Sequence, residues 1–189
     1  MFFLQRPSAE VIERLITESR ELPLSYGPVG LVQHSSKAFD VDKTAVVIGR
    51  GAADFERARA ALATWKQFDV GWAELFPKNA PVETGTVVML LVRHLGFWSL
   101  NGCRVVYRVG ETDPDRRFGF AYGTLSNHSE LGEEIFEVDF DPATDDVSYR
   151  IHAASRPRAA LARLGYPIAR LLQARFRRDS VKAMKRATR

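Results

Sequence analysis

The sequence has little of what metal centres, disulfide scaffolds and membrane spans require. Cys103 is the only cysteine in 189 residues, which excludes an intramolecular disulfide and a cysteine-rich metal site. No apolar run approaches the roughly 20 residues of a membrane-spanning helix. The apolar start, Met1 to Leu4, is too short for the core of a signal peptide. We therefore expect a cytoplasmic protein with no integral membrane segment and no metal or cofactor.

Signature motifs of common enzyme classes are also missing. The sequence has no G-x-S-x-G elbow of the kind that carries a nucleophilic serine. The segment Gly49-Arg50-Gly51 lacks the lysine and hydroxyl residue of a P-loop and the full glycine pattern of a dinucleotide site. We interpret it as a strand-to-helix turn. Cys103 lies in an apolar stretch, which is more typical of a small core residue than of a nucleophile.

Charge is distributed unevenly along the chain. The segment from Arg156 to Arg189 carries a net charge of +10, whereas the rest carries −6. A basic tail can bind an anionic membrane or nucleic acid. Aromatic side chains for base stacking are not regularly interleaved with its cations, so nucleic acid is not the expected partner. We interpret most of these charges as a solvated helix face and keep the anionic surface as an alternative.

The composition is that of an ordinary globular protein, with 46% hydrophobic and 26% charged residues. The length suits a single domain over residues 1–189. Residues 1–40 are expected to form an N-terminal helix and an irregular arm, and residues 41–189 the core. Oligomeric state has no signal in the sequence.

The first half of the chain predicts mostly helices. Ser8 can cap a helix that continues to about residue 21, and the following segment is rich in proline and glycine breakers. The predicted elements are a helix over 8–21, an irregular arm over 22–40, a strand over 44–48, a helix over 53–65 and a short helix or aromatic plug over 68–76.

The second half predicts strands, because β-branched and aromatic residues alternate with polar ones between turn signals. These strands cover 87–92, 97–100, 103–109, 117–126, 133–139 and 147–154. The loops between them are short, which favours antiparallel neighbours. A curved sheet of about six to seven antiparallel strands follows.

The last thirty residues predict a long basic helix. Pro157 can occupy its first turn, and Pro167 would kink or split it. An apolar stripe recurs at spacings of three and four: Leu161, Leu164, Ile168, Leu171, Leu172 and Phe176. A long helix across the concave face of the sheet would bury both apolar surfaces. The predicted fold is therefore α+β, a helix-grip in which the sheet wraps around the C-terminal helix.

The strand over 116–125 carries large and small residues on opposite faces. Phe118, Phe120 and Tyr122 share one face, and Gly119, Ala121 and Gly123 share the other. A row of small residues indicates either a backbone packed closely on the strand or vacant volume beside it. The helix can therefore pack directly on the small face, or a cavity can lie between sheet and helix.

These alternatives define the candidate functional residues. For a cavity that binds a small apolar or amphipathic molecule, the candidate ligand-binding residues are Tyr107, Phe118, Phe120, Tyr122, Arg156, Ile168 and Leu172. An enzyme on the same scaffold would use His128 and Glu130 for acid–base chemistry, although a polar hairpin loop explains the same segment. The enzyme is the less favoured hypothesis.

Several long segments carry a resemblance to a known family: GRGAADFERARAALATWKQFDVGW, LNGCRVVYRV, DPDRRFGFAYGTLSNHSELGEEIF and SRPRAALARLGYPIARLLQARFRRDS. They resemble the domain family DUF1990, also called UPF0548, and the YGPVG segment resembles the family's N-terminal part. The resemblance implies a Bet v 1-like, or START-like, helix-grip fold. It carries no established activity and no assigned catalytic residues, so it transfers none to this chain.

Overall fold

The architecture is an antiparallel sheet with helices on both faces. The computed structural model describes residues 1–34, 38–94, 96–157 and 166–189. Within them, the strands are β1 Phe2–Phe3, β2 Asp40–Arg50, β3 Ala73–Phe76, β4 Val87–His94, β5 Phe97–Val109, β6 Arg117–Thr124, β7 Glu130–Asp141 and β8 Asp146–Pro157. Seven of them join side by side in the order β2-β8-β7-β6-β5-β4-β3, and β1 pairs with β5 to complete an eight-stranded sheet.

The described helices are α1 Ala9–Ser19, α2 Gly51–Ala63, a short 3₁₀ helix Lys66–Phe68 and α3 Tyr166–Thr188. Ser8 caps α1 by accepting a hydrogen bond from the Val11 amide at 3.4 Å. At the start of α2, Gly51 has φ +77°, a backbone conformation that a side chain would strain. The Asp54 carboxylate accepts a hydrogen bond from the Arg50 amide at 2.7 Å. The GRG segment is therefore a strand-to-helix turn, as predicted.

We call the sheet face that carries Phe118 and Phe120 the inner face. One half of it is tightly filled. Phe120, Phe136 and Tyr149 have no exposed surface and pack with Phe55 and Leu62 of α2. The Trp65 ring meets Phe120 edge-on at a centroid distance of 4.7 Å. The last turns of α3 complete this core through Met184, with Ala187 packed against it.

The opposite, outer face is covered by N-terminal segments. Ile12 and Ile16 of α1 form a second apolar cluster with Met89, Leu91 and Leu100. The described part of the arm lies against β6 and β7. Its Tyr26 side chain fills the space in which Gly123 would otherwise carry a Cβ atom. The arm therefore covers the small-residue face of β6 at Gly123.

The predicted α+β helix-grip fold is confirmed, with several local corrections. The segment over 97–109 is one strand, and a bulge lies between Val105 and Tyr107. Strand β3 replaces the predicted helix or plug over its residues, and β1 was not predicted. Both are short strands held by a longer neighbour, a tertiary effect that local periodicity does not report.

The C-terminal helix departs most from expectation. Pro157 ends β8 rather than starting a helix, and Pro167 lies in the first turn of α3, where a missing N–H has no cost. Ile168 and Leu171 are 44% and 71% exposed, so their predicted burial on the sheet is wrong. The helix is buried instead near its C-terminal end. Leu161 and Leu164 lie outside the described residues. No described helix is both long and apolar enough to span a bilayer.

Candidate ligand-binding cavity

A cavity of about 400 Å³ separates the other half of the inner sheet face from the first turns of α3. Small or polar residues form its floor, including Gly132 on β7 and Ala153 and Ser155 on β8. Ala169 and Leu172 face it from α3. The filled half of the same face carries phenylalanine and tyrosine at equivalent positions. The volume arises because the floor residues are too short to reach the helix.

One wall of the cavity is aromatic. Phe68 lies 5.1 Å from Phe176 and 6.3 Å from Tyr122, measured between ring centroids. The Trp72 ring meets Phe176 edge-on at 6.4 Å, and its indole N–H donates to Asp179 at 3.2 Å. Together with Leu172, these rings form an apolar surface held rigidly by contacts among themselves.

The opposite wall contains an ion pair between β2 and α3. The Asp42 carboxylate accepts a hydrogen bond from Arg170 at 2.9 Å and lies 3.1 Å from an Arg177 guanidinium nitrogen. Burial acts to raise the pKa of Asp42, but these two guanidinium groups outweigh it and hold the pKa below its ordinary value. The prediction that the helix arginines lie mostly in water is therefore wrong for Arg170 and Arg177.

Gln173 connects this ion pair to Glu130. Its side-chain carbonyl accepts from Arg170 at 2.9 Å, and its amide donates to Glu130 at 2.9 Å and to Ser155 at 3.1 Å. Burial raises the pKa of Glu130, although the Gln173 hydrogen bond and the Arg170 charge partly oppose the shift. The carboxyl group of Glu130 thus lines the cavity with a neutral amide as its hydrogen-bond donor.

Glu134 is the most perturbed carboxyl group of the cavity. It is half-buried on the inner face of β7 and accepts a hydrogen bond from the Tyr122 hydroxyl at 2.8 Å. Burial raises its pKa to about 7, against the opposing effects of the Tyr122 hydrogen bond and the Arg177 charge. The nearby carboxylates Glu130 and Asp42 raise it further. This carboxyl group therefore exchanges a proton near neutral pH.

The loop between β6 and β7 brings His128 and Ser129 to the cavity. The His128 Nδ1 atom accepts a hydrogen bond from the backbone amide of Glu130 at 2.9 Å. The Glu130 carboxyl group binds Gln173, as described above. Among the described residues, no group of three or more His, Cys, Asp or Glu side chains could hold a metal ion.

The seven residues predicted to bind ligand fall into different environments. Tyr122, Ile168 and Leu172 line the cavity. Phe118 and Phe120 belong to the filled core of the same face. The binding role of these residues stays a prediction.

Tyr107 and Arg156 lie away from the cavity. The bulge in β5 pairs Tyr107 with Ala121, so the Tyr107 side chain lies on the sheet face opposite that of Val105. On this outer face the Tyr107 hydroxyl donates to Glu133 at 2.8 Å. Arg156 is exposed on β8, with its guanidinium 4.7 Å from the Phe39 ring centroid. Tyr107 therefore lies on the sheet face opposite Tyr122, and neither Tyr107 nor Arg156 lines the cavity.

Both sequence-based interpretations placed the helix or the cavity beside Gly119, Ala121 and Gly123. The structure contradicts this placement, because the small face points outward to the arm and the cavity lies on the face of Tyr122 and Thr124. Large residues face the helix because they supply the area that α2 and α3 bury. Small residues face outward because they allow the arm and its Tyr26 side chain to approach the strand closely.

Sequence reasoning missed Glu134, Asp42, Arg177 and Gln173 as cavity residues. Glu134 carried a usable signal, since it alternates in phase with the apolar Phe136 and Val138. A charged residue on an apolar strand face is unusual unless a polar partner or a cavity lies there. Asp42 had no such signal, because only the pairing of β2 with β8 brings it beside the cavity.

The described fold has counterparts among solved structures. A crystal structure of a hypothetical protein from Helicobacter pylori aligns with a TM-score of 0.54 at 11% identity, covering 87% of this chain and 95% of that one. Bet v 1-like proteins are also among the neighbours. A norcoclaurine synthase point mutant from Thalictrum flavum, in complex with a transition-state analogue, aligns with a TM-score of 0.50 at 9% identity, covering 77% and 94%. At such identities the likeness shows the fold alone.

Sequence relatives cover nearly the whole chain. A UPF0548 protein from Dictyostelium discoideum is 34% identical over 99% of this chain and 95% of the relative. A UPF0548 protein from Deinococcus radiodurans is 33% identical over 99% and 98%. The family model described as a domain of unknown function, DUF1990, matches residues 25–183. The chain therefore belongs to the DUF1990 family.

Proposed function

We propose that this chain binds a small hydrophobic or amphipathic ligand in the cavity between the sheet and α3. The observation that carries the proposal is the cavity itself, about 400 Å³ with an aromatic wall on one side and an ordered polar wall on the other. Ligand sites of small molecules have this size and this mixture of surfaces. The Bet v 1-like fold supports the proposal by analogy, since the norcoclaurine synthase neighbour is described with a transition-state analogue.

Native mass spectrometry of the purified chain tests this function directly. We expect a carried small molecule that leaves on denaturation and is identified after organic extraction. The variant Ala153→Leu would fill part of the cavity floor and prevent the molecule from binding. Ala52→Leu makes the same change on the exposed surface of α2 and serves as the matched control.

The binding variants also need a folding control. Ala169→Leu fills the same cavity from the helix side, so it replaces Ala153→Leu if that variant loses its cooperative unfolding transition. If both variants retain the molecule as strongly as the wild type, the ligand does not occupy this cavity. If the wild type neither carries a molecule nor binds apolar probes, the proposed function is wrong.

A second function, acid–base catalysis in the same cavity, is favoured by the pKa of Glu134. A carboxyl group that titrates at about 7 is suited to proton transfer near neutral pH. His128 and Glu130 remain the residues predicted for this role from sequence. In a substrate screen, catalysis by Glu134 requires that Glu134→Gln lose turnover while it still binds substrate. Loss of turnover only in His128→Ala assigns the role to the loop instead.

A further inference from the structure

We infer that the ligand of this cavity carries a cationic nitrogen, such as a protonated amine, which binds the carboxyl groups of Glu130 and Glu134. Its apolar body would lie against Phe68, Trp72 and Phe176. This inference rests on the proposed binding function and deepens it by naming the chemical class of the ligand.

The charges of the cavity are unequally paired. Asp42 is matched by Arg170 and Arg177, whose guanidinium groups lie at 2.9 and 3.1 Å from its oxygens. Arg177, the one arginine of the described lining, and its neighbour Arg170 thus both form their ion pairs with Asp42. Neither Glu130 nor Glu134 forms an ion pair within 4.0 Å among the described residues. Within the described lining, Glu130 and Glu134 are therefore carboxyl groups without an ion-pair partner.

The two glutamates also have unused acceptor capacity. Among the described residues, each carboxyl group receives one hydrogen bond from a neutral donor, Gln173 at 2.9 Å for Glu130 and Tyr122 at 2.8 Å for Glu134. The second oxygen of each has no donor among the residues that the structure describes. A carboxylate can accept up to about four hydrogen bonds. A ligand with several N–H donors would satisfy the oxygens that the protein leaves open.

An anionic ligand fits this arrangement poorly. It would place a third uncompensated negative charge near Glu130 and Glu134, inside a low-dielectric space where like charges interact strongly. To bind the Arg177 guanidinium, it would have to compete with Asp42, which lies 3.1 Å from it. Removing one partner of a buried ion pair is costly because it leaves the other charge uncompensated. A cation instead neutralises the existing repulsion between the two glutamates.

The aromatic wall suits the remainder of such a ligand. The rings of Phe68 and Phe176 offer apolar area, and their π faces also attract positive charge at close range. An amine attached to a flat or branched hydrocarbon body can therefore contact both walls at once. A permanently polar ligand, such as a sugar, would leave the aromatic wall without a matching surface.

Calorimetric titration with three probes that share one body tests the inference. The probes are naphthylethylamine, naphthylethanol and naphthylacetate, measured in slightly alkaline buffer so that Glu134 is ionised and the amine is still charged. We expect the amine to bind at least about tenfold more tightly than the alcohol, and the acetate to bind most weakly. The variants Glu130→Gln and Glu134→Gln keep the side-chain shape and should each weaken the amine about tenfold while leaving the alcohol unchanged.

Glu56→Gln is the matched control, because it removes the same charge from the exposed surface of α2. It should leave the binding of all three probes unchanged. Equal affinities for the three probes, or tighter binding of the acetate, would contradict the inference that the ligand is cationic. Neither result would contradict the proposed binding function. Unchanged amine affinity in both cavity variants would do the same. If none of the three probes binds the folded wild type, the proposed binding function fails with it.

Discussion

Glu133 and Glu134 are neighbours on β7, but the two faces of the sheet surround their carboxyl groups differently. The outer face gives Glu133 four donors: the hydroxyls of Tyr26 and Tyr107 at 2.7 and 2.8 Å, and the amides of Gly30 and Val32 at 2.9 and 3.4 Å. The inner face gives Glu134 one donor, the Tyr122 hydroxyl at 2.8 Å. One carboxyl group is structurally satisfied, whereas the other faces an open cavity.

The difference shows how adjacent residues of one strand serve different purposes. On the outer face, the arm brings its own donors and leaves Glu133 only 2% exposed. A fully bonded buried carboxyl group fixes the position of the segment that bonds it. On the inner face, no segment of the described chain fills the space beside Glu134. A carboxyl group held there without matching donors is a feature of binding and catalytic sites.

The largest expected effect is the loss of stability in Glu133→Ala. The substitution leaves two tyrosine hydroxyls and two backbone amides without their buried acceptor, so we expect the free energy of unfolding to fall by about 4 kcal/mol. Urea denaturation measures the change. Glu56→Ala, on the surface of α2, should change the same quantity by less than about 0.5 kcal/mol. A loss below about 1 kcal/mol for Glu133→Ala would show that the arm is not held by this carboxyl group.

The second prediction concerns pH and Glu134. Its pKa is about 7 in the folded chain and 4.5 as an unperturbed group, so the folded state binds more protons between these values. Stability should therefore fall as the pH rises from 4.5 to 7, by at most about 3 kcal/mol from this group. Glu134→Gln should remove that part of the slope in urea denaturation. A titration midpoint near 4.5, measured by carboxyl-carbon NMR, would contradict the prediction.

A smaller effect is expected when the arm loses one contact. Tyr26→Phe removes one of the four donors to Glu133 and keeps the ring that lies over Gly123. The free energy of unfolding should fall by about 1.5 kcal/mol. Hydrogen exchange of the Gly30 and Val32 amides should become faster, because both bond the same carboxyl group. Unchanged exchange at both amides would indicate that the arm is held mainly by other contacts.

The smallest effect on stability is expected for Tyr122→Phe on the inner face. The Tyr122 hydroxyl lowers the pKa of Glu134, so its removal should move the Glu134 titration midpoint above 7. We expect the free energy of unfolding near neutral pH to change by less than about 1 kcal/mol, since the protonated carboxyl group tolerates the loss. Carboxyl-carbon NMR measures the midpoint. A midpoint that moves downward would contradict the assigned role of this hydrogen bond.

Much of the fold could be predicted because it follows local patterns. The alternation in β6 identified a strand with large residues on one face, and Ser8 marked the start of α1. The family resemblance supported the same order of elements. Which face of β6 would meet the helix had no local signal. That choice depends on the area that α2 and α3 bury, which is a property of the packed molecule.

The candidate site was predictable only in part. Tyr122 and Leu172 were expected beside a cavity, and both line it. Tyr107 was misplaced because a one-residue bulge reverses the side-chain alternation that follows it. The network from Asp42 through Arg170 and Gln173 to Glu130 joins β2, α3 and β7, which are far apart in sequence. Nothing in the separate segments indicates that they meet.

Local residue patterns were enough to predict the class of fold, because strand alternation, helix periodicity and turn residues act over a few neighbouring positions. Tertiary structure decided which parts of the inner face are filled and which remain open. It also decided that Glu133 is sealed by the arm while Glu134 faces the cavity. The physical reason is that burial, pKa and acceptor satisfaction depend on every segment that packs around a group, not on the strand that carries it.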